Sequence, residues 1–104
     1  MKESDWKCFK RIHKTALKKH CEVTLKHLAK ITSEGPDDPH GAYLEAYKYM
    51  MKRDKELAEV FNDYRRSTAL TQLRFMINMK IVSEVDLEGL SEESRARLQP
   101  YEEE

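Results

Sequence analysis

Apolar positions recur along this chain at intervals of three and four, the period of an α-helix, almost from end to end. In the first third, Trp6, Phe9, Ala16, Leu17, Leu28 and Ile31 gather on one side of such a helix. Ile12 and Val23 flank one edge of that stripe and Cys21 the other, while Lys7, Arg11, Lys14, Lys18 and Lys26 cover the back. Ser4 is placed to cap the helix, and Asp5 puts negative charge where the helix dipole favours it. Gly35 and Pro36 mark the stop. The pattern therefore predicts a first helix from about Asp5 to Thr32.

The segment Gly35-Pro36-Asp37-Asp38-Pro39 is a loop, and Asp38-Pro39 is a strong helix start, with Asp as cap and Pro at the first helical position. The second helix carries Tyr43, Ala46, Tyr47 and Met50 at helical spacing and reaches Met51 or Arg53. From Asp54, a further stripe runs through Leu57, Val60, Phe61 and Tyr64. Arg65-Arg66-Ser67-Thr68 reads either as a break, with Ser67 capping a new helix, or as a polar patch within one long helix. The lack of Gly or Pro favours continuity. Residues 69–82 are apolar on most sides (Leu70, Leu73, Phe75, Met76, Ile77, Met79, Ile81), as expected for the central core element, with the first helix packed along it. Ser83 and Ser91 are placed to cap two short helices, about 84–89 and 92–98, with Asp86 and Ser94 at capping-box distance. Pro100 ends the last helix, and 100–104 reads as a disordered tail. The expected fold is all-α, a small helical bundle of two long and two or three shorter helices forming a single domain over 1–104.

Composition agrees. The hydrophobic fraction is 39% and the charged fraction 37%, the balance left by narrow apolar stripes and wide solvated faces. Three Gly and three Pro are too few for a sheet-rich fold. No apolar run approaches the roughly 18 residues of a membrane span, and Met1-Lys2-Glu3-Ser4-Asp5 is too charged for an export signal. Cys8 and Cys21 sit about 20 Å apart on the first helix, beyond the roughly 7 Å Cα separation a disulfide allows. They read as small buried hydrophobes in a reducing, cytoplasmic setting.

The formal net charge is zero but unevenly placed. Residues 1–33 carry nine Lys/Arg against Glu3, Asp5 and Glu22, a local net of +6, and residues 80–104 carry eight acids against Lys80, Arg95 and Arg97, a local net of −5. Mutual attraction of the two ends within the fold is favoured over a basic end facing an acidic partner.

His13, His20 and His27 form a heptad-spaced row inside the apolar stripe of the first helix, drifting about 20° per step. Steps of about 10.5 Å prevent any two from sharing a metal ion, and His40 is the only further histidine. Packing with a hydrogen bond per ring is favoured over a pH-sensitive seam. Glu56, Glu59 and Asp63 line one face, but Lys52, Lys55 and Arg66 at helical spacing make it a solvated one. Arg65-Arg66 reads as a surface pair of which only one member can turn inward. No phosphate loop, nucleophile motif, zinc pattern or dinucleotide fingerprint is present, so no enzyme, cofactor or metal is expected.

The expected function is protein–protein interaction, with another protein or with itself as a homodimer. The basis is an expectation that the face holding Trp6, Phe9, His13, His20 and His27 exceeds what 104 residues cover internally, the excess forming a dimer seam. The alternative is contact with a nucleic-acid backbone through Lys7, Lys10, Arg11, Lys14, Lys18 and Lys19. Against it stand the pI of about 6.9, the spread of these cations over half the helix circumference, and the place of Trp6 and Phe9 on the apolar stripe, away from any base they could stack on.

Overall fold

Uninterrupted by Gly or Pro, the first helix (α1) runs from Glu3 to Glu34. A computed structural model describes residues 1–35 and 37–98; within them the chain is all-α, with no strand. Pro36, Pro100 and the expected tail lie outside the described residues. Ser4 does not cap α1: the helix begins at Glu3, two residues before the expected Asp5, Lys2 occupies the cap position without a side-chain bond, and Glu3 and Asp5 supply charge to the first turn. At the other end α1 outruns the expected Thr32 by two residues. The Thr32 and Ser33 hydroxyls donate to the carbonyls of Ala29 and Lys30. Gly35 then lets the chain turn tightly, since a Cβ there would lie 2.5 Å from the Cβ of Ala42.

The second helix (α2) spans Pro39–Phe61, with Asp38 capping it through the Gly41 amide. It passes straight through Asp54. The expected continuity beyond Tyr64 is not observed. α2 ends at Phe61, a 3₁₀ turn occupies Arg66–Thr68, and the third helix (α3) runs Ala69–Asn78. Side chains break the helix here rather than Gly or Pro. The Asp63 carbonyl accepts from the Thr68 hydroxyl (2.6 Å) and the Gln72 amide (2.7 Å), and the Asp63 carboxylate holds Arg65 through two bonds. Ser67 lies within the turn, and Thr68, in front of α3, makes no side-chain cap.

α3 is four residues shorter than the apolar run implied. It closes on a left-handed residue, Lys80 (φ 60°), with the Lys80 amide bonding to the Ile77 carbonyl and the Ile81 amide to that of Met76. That is a Schellman ending with lysine where glycine is usual. The short helices α4 (Glu84–Leu87) and α5 (Glu92–Leu98) follow. Ser83 and Asp86 form a reciprocal capping box, and the Ser91 hydroxyl accepts from the Ser94 amide.

Ala69, Leu73 and Met76 of α3 have no exposed surface and pack with Cys8, Phe9, Ile12 and Ala16 of α1, Val60 and Phe61 of α2, and Leu87, Leu90 and Leu98. α3 is thus the centre of the core, although its outer side leaves Phe75 44% exposed. The most extensive helix pairing is α1 with α2, not α1 with α3 as expected. The two long helices run back to back beyond the core, so the molecule measures 54 × 26 × 19 Å. A head, built from the first half of α1, the end of α2 and α3–α5, therefore carries a protruding two-helix arm.

The first turn of α1 meets the start of α5 through a buried carboxylate. The Asp5 carboxylate, on the first turn of α1 and 1% exposed, accepts from the Ser91 amide, the Ser91 hydroxyl and the Ser94 hydroxyl, each at 2.7 Å. Burial alone would raise its pKa. The bonds from Ser91 and Ser94, with Lys2 nearby, outweigh that and hold the pKa below the usual carboxylate value. Asp5 thereby caps the start of α5 from 86 residues away.

Candidate functional site

The histidine row proves to be the join between α1 and α2. A carbonyl can only accept, so His13 Nε2–H donates to the Phe61 carbonyl (3.1 Å), and the ring stacks on Tyr64 at 4.4 Å. One heptad on, Arg53 Nη2 donates to His20 Nδ1 (3.0 Å), which puts the proton on Nε2, bonded to the Arg53 carbonyl (3.3 Å). Arg53 also donates to the Thr24 hydroxyl (2.8 Å) and the His20 carbonyl, and pairs with Glu56 (3.7 Å). Burial first, and then the charge of Arg53, hold the His20 pKa below its ordinary value, so the ring is neutral near pH 7. His27 lies against Tyr49, with ring centres 4.5 Å apart. Three rings thus meet three successive stations of an antiparallel helix.

This uses up most of the face expected to bind a partner. Phe9, His13 and His20 are buried inside the chain, and Trp6 is half-covered by Phe9, Tyr64 and the guanidinium of Arg66. Only His27 remains at the surface. Arg66 reaches Glu3 (2.8 Å) and Arg65 reaches Asp63, so the expected link of Arg66 with Asp63 does not form. Glu56 pairs with Arg53 instead of Lys52. Cys8 is buried, Cys21 half-buried, and both are free thiols. Among the described residues no three His, Cys, Asp or Glu side chains converge as a metal site would require.

The open apolar surface lies elsewhere, on the arm. α2 buries only Val60 and Phe61, both at its head end. Along its outer side Tyr43 is 68% exposed, Tyr47 57% and Met51 56%, with Leu44 and Met50 also open. Leu25 of α1, 59% exposed, lines a shallow pocket with Met50, and a neighbouring groove of about 610 Å³ has Leu28, Ala46, Tyr47 and Met50 among its walls. The sequence reading placed Tyr43, Tyr47 and Met50 at helical spacing without saying what that face meets. The available signal was that Leu44 and Met51 widen the stripe beyond what one neighbouring helix can cover.

All six residues of the proposed basic surface are exposed. Lys7, Lys10, Arg11, Lys14 and Lys18 follow one side of α1 at spacings of three and four, and Lys19 widens the set to half of the circumference, as expected. The one ion pair recorded for this band is Lys18 with Glu22, at 3.9 Å. A polar cleft of about 450 Å³ beside Asp5 holds Lys2, Arg66 and Arg97 against Asp5 and Glu93. Asp5 and Arg66 already have partners there, which makes the cleft a seam between elements.

No family model matches the chain, and neither does any curated protein or solved structure. Among the described residues no helix is long and apolar enough to cross a membrane.

Proposed function

We propose that this protein is a non-enzymatic binding module that works through protein–protein contact, with the outer side of the α1–α2 arm as its contact surface. The observation that carries the reading is the continuous exposure of Tyr43, Tyr47 and Met51 along α2, with Leu25 beside them. Large apolar side chains left open side by side, on an element that buries little else, mark an interaction surface more often than idle surface. Tyrosine and methionine suit that use, since both give large contact area and adapt to a partner's shape. The histidine row supports the surface from behind by fixing α2 against α1. Two free thiols accord with a reducing, cytoplasmic setting.

The test is a photoreactive residue in place of Tyr43, activated in the organism that makes the protein. A polypeptide adduct that survives high salt and vanishes with Tyr47→Glu is the expected result. Absence of any polypeptide adduct overturns the reading.

The row of exposed cations along one side of α1 favours one second reading, contact with a nucleic-acid backbone. It requires affinity that falls steeply with salt and is reduced by Lys10→Glu and Lys14→Glu, independently of the arm. Salt-insensitive or absent binding removes it.

A further inference from the structure

The exposed side of α2 repeats as a heptad. His40, Tyr47 and Asp54 occupy one position of the repeat, Tyr43 and Met50 the next apolar one, and Leu44 and Met51 stand beside those. This is the pattern of a helix that lies along another helix, yet α1 contacts α2 on a different side. We infer that the second helix is α2 of a second copy of this chain, running antiparallel and crossing at Tyr47. The inference rests on the protein-contact reading above and names the partner.

A two-fold axis at Tyr47 pairs each residue with the one equally far on the other side. Leu44 then faces Met50 of the second copy, and Tyr43 faces Met51. At both ends of the seam His40 faces Asp54 of the second copy. The seam is therefore apolar at its centre and closed at each end by a complementary polar pair. Asp54 also comes to lie beside the first turn of the opposing α2, where the helix dipole favours an anion. A parallel arrangement would set His40 on His40 and Asp54 on Asp54.

Sequence and shape support a second copy as occupant. A formal net charge of zero gives no repulsion between copies. At about 200 Å² per large side chain, the exposures of Tyr43, Leu44, Tyr47, Met50 and Met51 leave roughly 500 Å² open per copy. Two copies together reach the threshold of about 1,000 Å² for a specific interface. The seam sits on the arm, clear of most of the head, and where the opposing arm tip meets the head end of α2 the side chain at hand is small and exposed Ala58.

Sedimentation equilibrium of the full chain, from 5 to 500 μM, is the test. A reversible dimer is expected, and a monomer throughout overturns the inference. His40→Glu sets Glu against Asp54 and should weaken the dimer at least tenfold. Asp54→Lys should weaken it similarly, and the double exchange His40→Glu/Asp54→Lys should restore it. Both sites are exposed, so far-ultraviolet circular dichroism should show the helices intact in every variant. Loss of the dimer with Tyr47→Glu but no response to the His40 and Asp54 variants overturns the antiparallel register. A monomeric wild type whose Tyr43 photoadduct contains a different protein overturns the second copy as partner while leaving the protein-contact reading in place.

Discussion

Asp5→Ala should be among the most damaging single substitutions in the chain, although it removes only a small polar side chain. The Asp5 carboxylate is the acceptor for the Ser91 amide and for the hydroxyls of Ser91 and Ser94, all at 2.7 Å, and Ser94 is buried. Truncation leaves three donors without their acceptor. A buried polar group stripped of its partner costs about 1–3 kcal/mol, and loss of a helix cap about 1. Ser91 is only half-buried and water can reach it, so the sum is discounted to about 3 kcal/mol. Asp5→Asn keeps the shape and one acceptor oxygen, and the hydroxyls can rotate to accept from its amide, so it should cost about 1 kcal/mol. The assay is urea unfolding followed by fluorescence of the single tryptophan, Trp6, which adjoins Asp5 and lies 5.5 Å from the Phe9 ring. With a slope of about 1.5 kcal/mol per molar urea, Asp5→Ala should lower the midpoint by about 2 M. The folded pKa of Asp5 lies below its unfolded value, so its contribution is full above about pH 4 and fades as pH falls further. The gap between wild type and Asp5→Ala should therefore narrow from pH 5 to pH 2. A midpoint within 0.3 M of wild type at pH 7, or a gap that widens in acid, would refute the reasoning.

Three other outcomes are expected. Lys80→Gly should stabilise the fold by about 1 kcal/mol, because Lys80 is exposed and left-handed with φ 60°; calorimetry should show Tm raised by roughly 4–8 °C, and a fall would contradict the Schellman reading. Gly89→Ala should destabilise by about 1–3 kcal/mol, since a Cβ there would lie 2.8 Å from the Sγ of buried Cys8; combined with Cys8→Ala its added cost should shrink, and full additivity in the unfolding free energies would rule out that contact. His20 is held neutral, so wild-type stability should be full above about pH 6.5 and decline as pH falls below it; urea midpoints at pH 7.5 and 5.5 should show that decline reduced in His20→Gln, and an equal decline in both would place the effect elsewhere.

Helices and their caps were legible because they depend on neighbours within four residues. Asp38-Pro39 starts α2 and Ser83 caps α4 as local chemistry predicts. The all-α class followed from the same periodicity. Ser4 misled because α1 starts at Glu3 with Lys2 in the cap position, which places Asp5 in the first turn with its carboxylate bonded to Ser91 and Ser94 of the α5 start. The end of α2 at Phe61 was not legible, because the groups that stop it include Gln72, eleven residues beyond, which reaches back to the Asp63 carbonyl.

What the sequence determined by itself is therefore the set of helices, the absence of a span-length apolar run, and the presence of three histidines on one stripe. Tertiary structure alone decided what each stripe meets. It turned His13 and His20 inward onto α2, laid the exposed His27 against Tyr49, joined the first turn of α1 to the start of α5 through Asp5, and left the apolar side of α2 uncovered. The physical reason is one of range. Periodicity and capping record interactions along one helix. Which face is buried depends on how many neighbours the chain can bring to it, and in a 54 Å long molecule the arm receives only one.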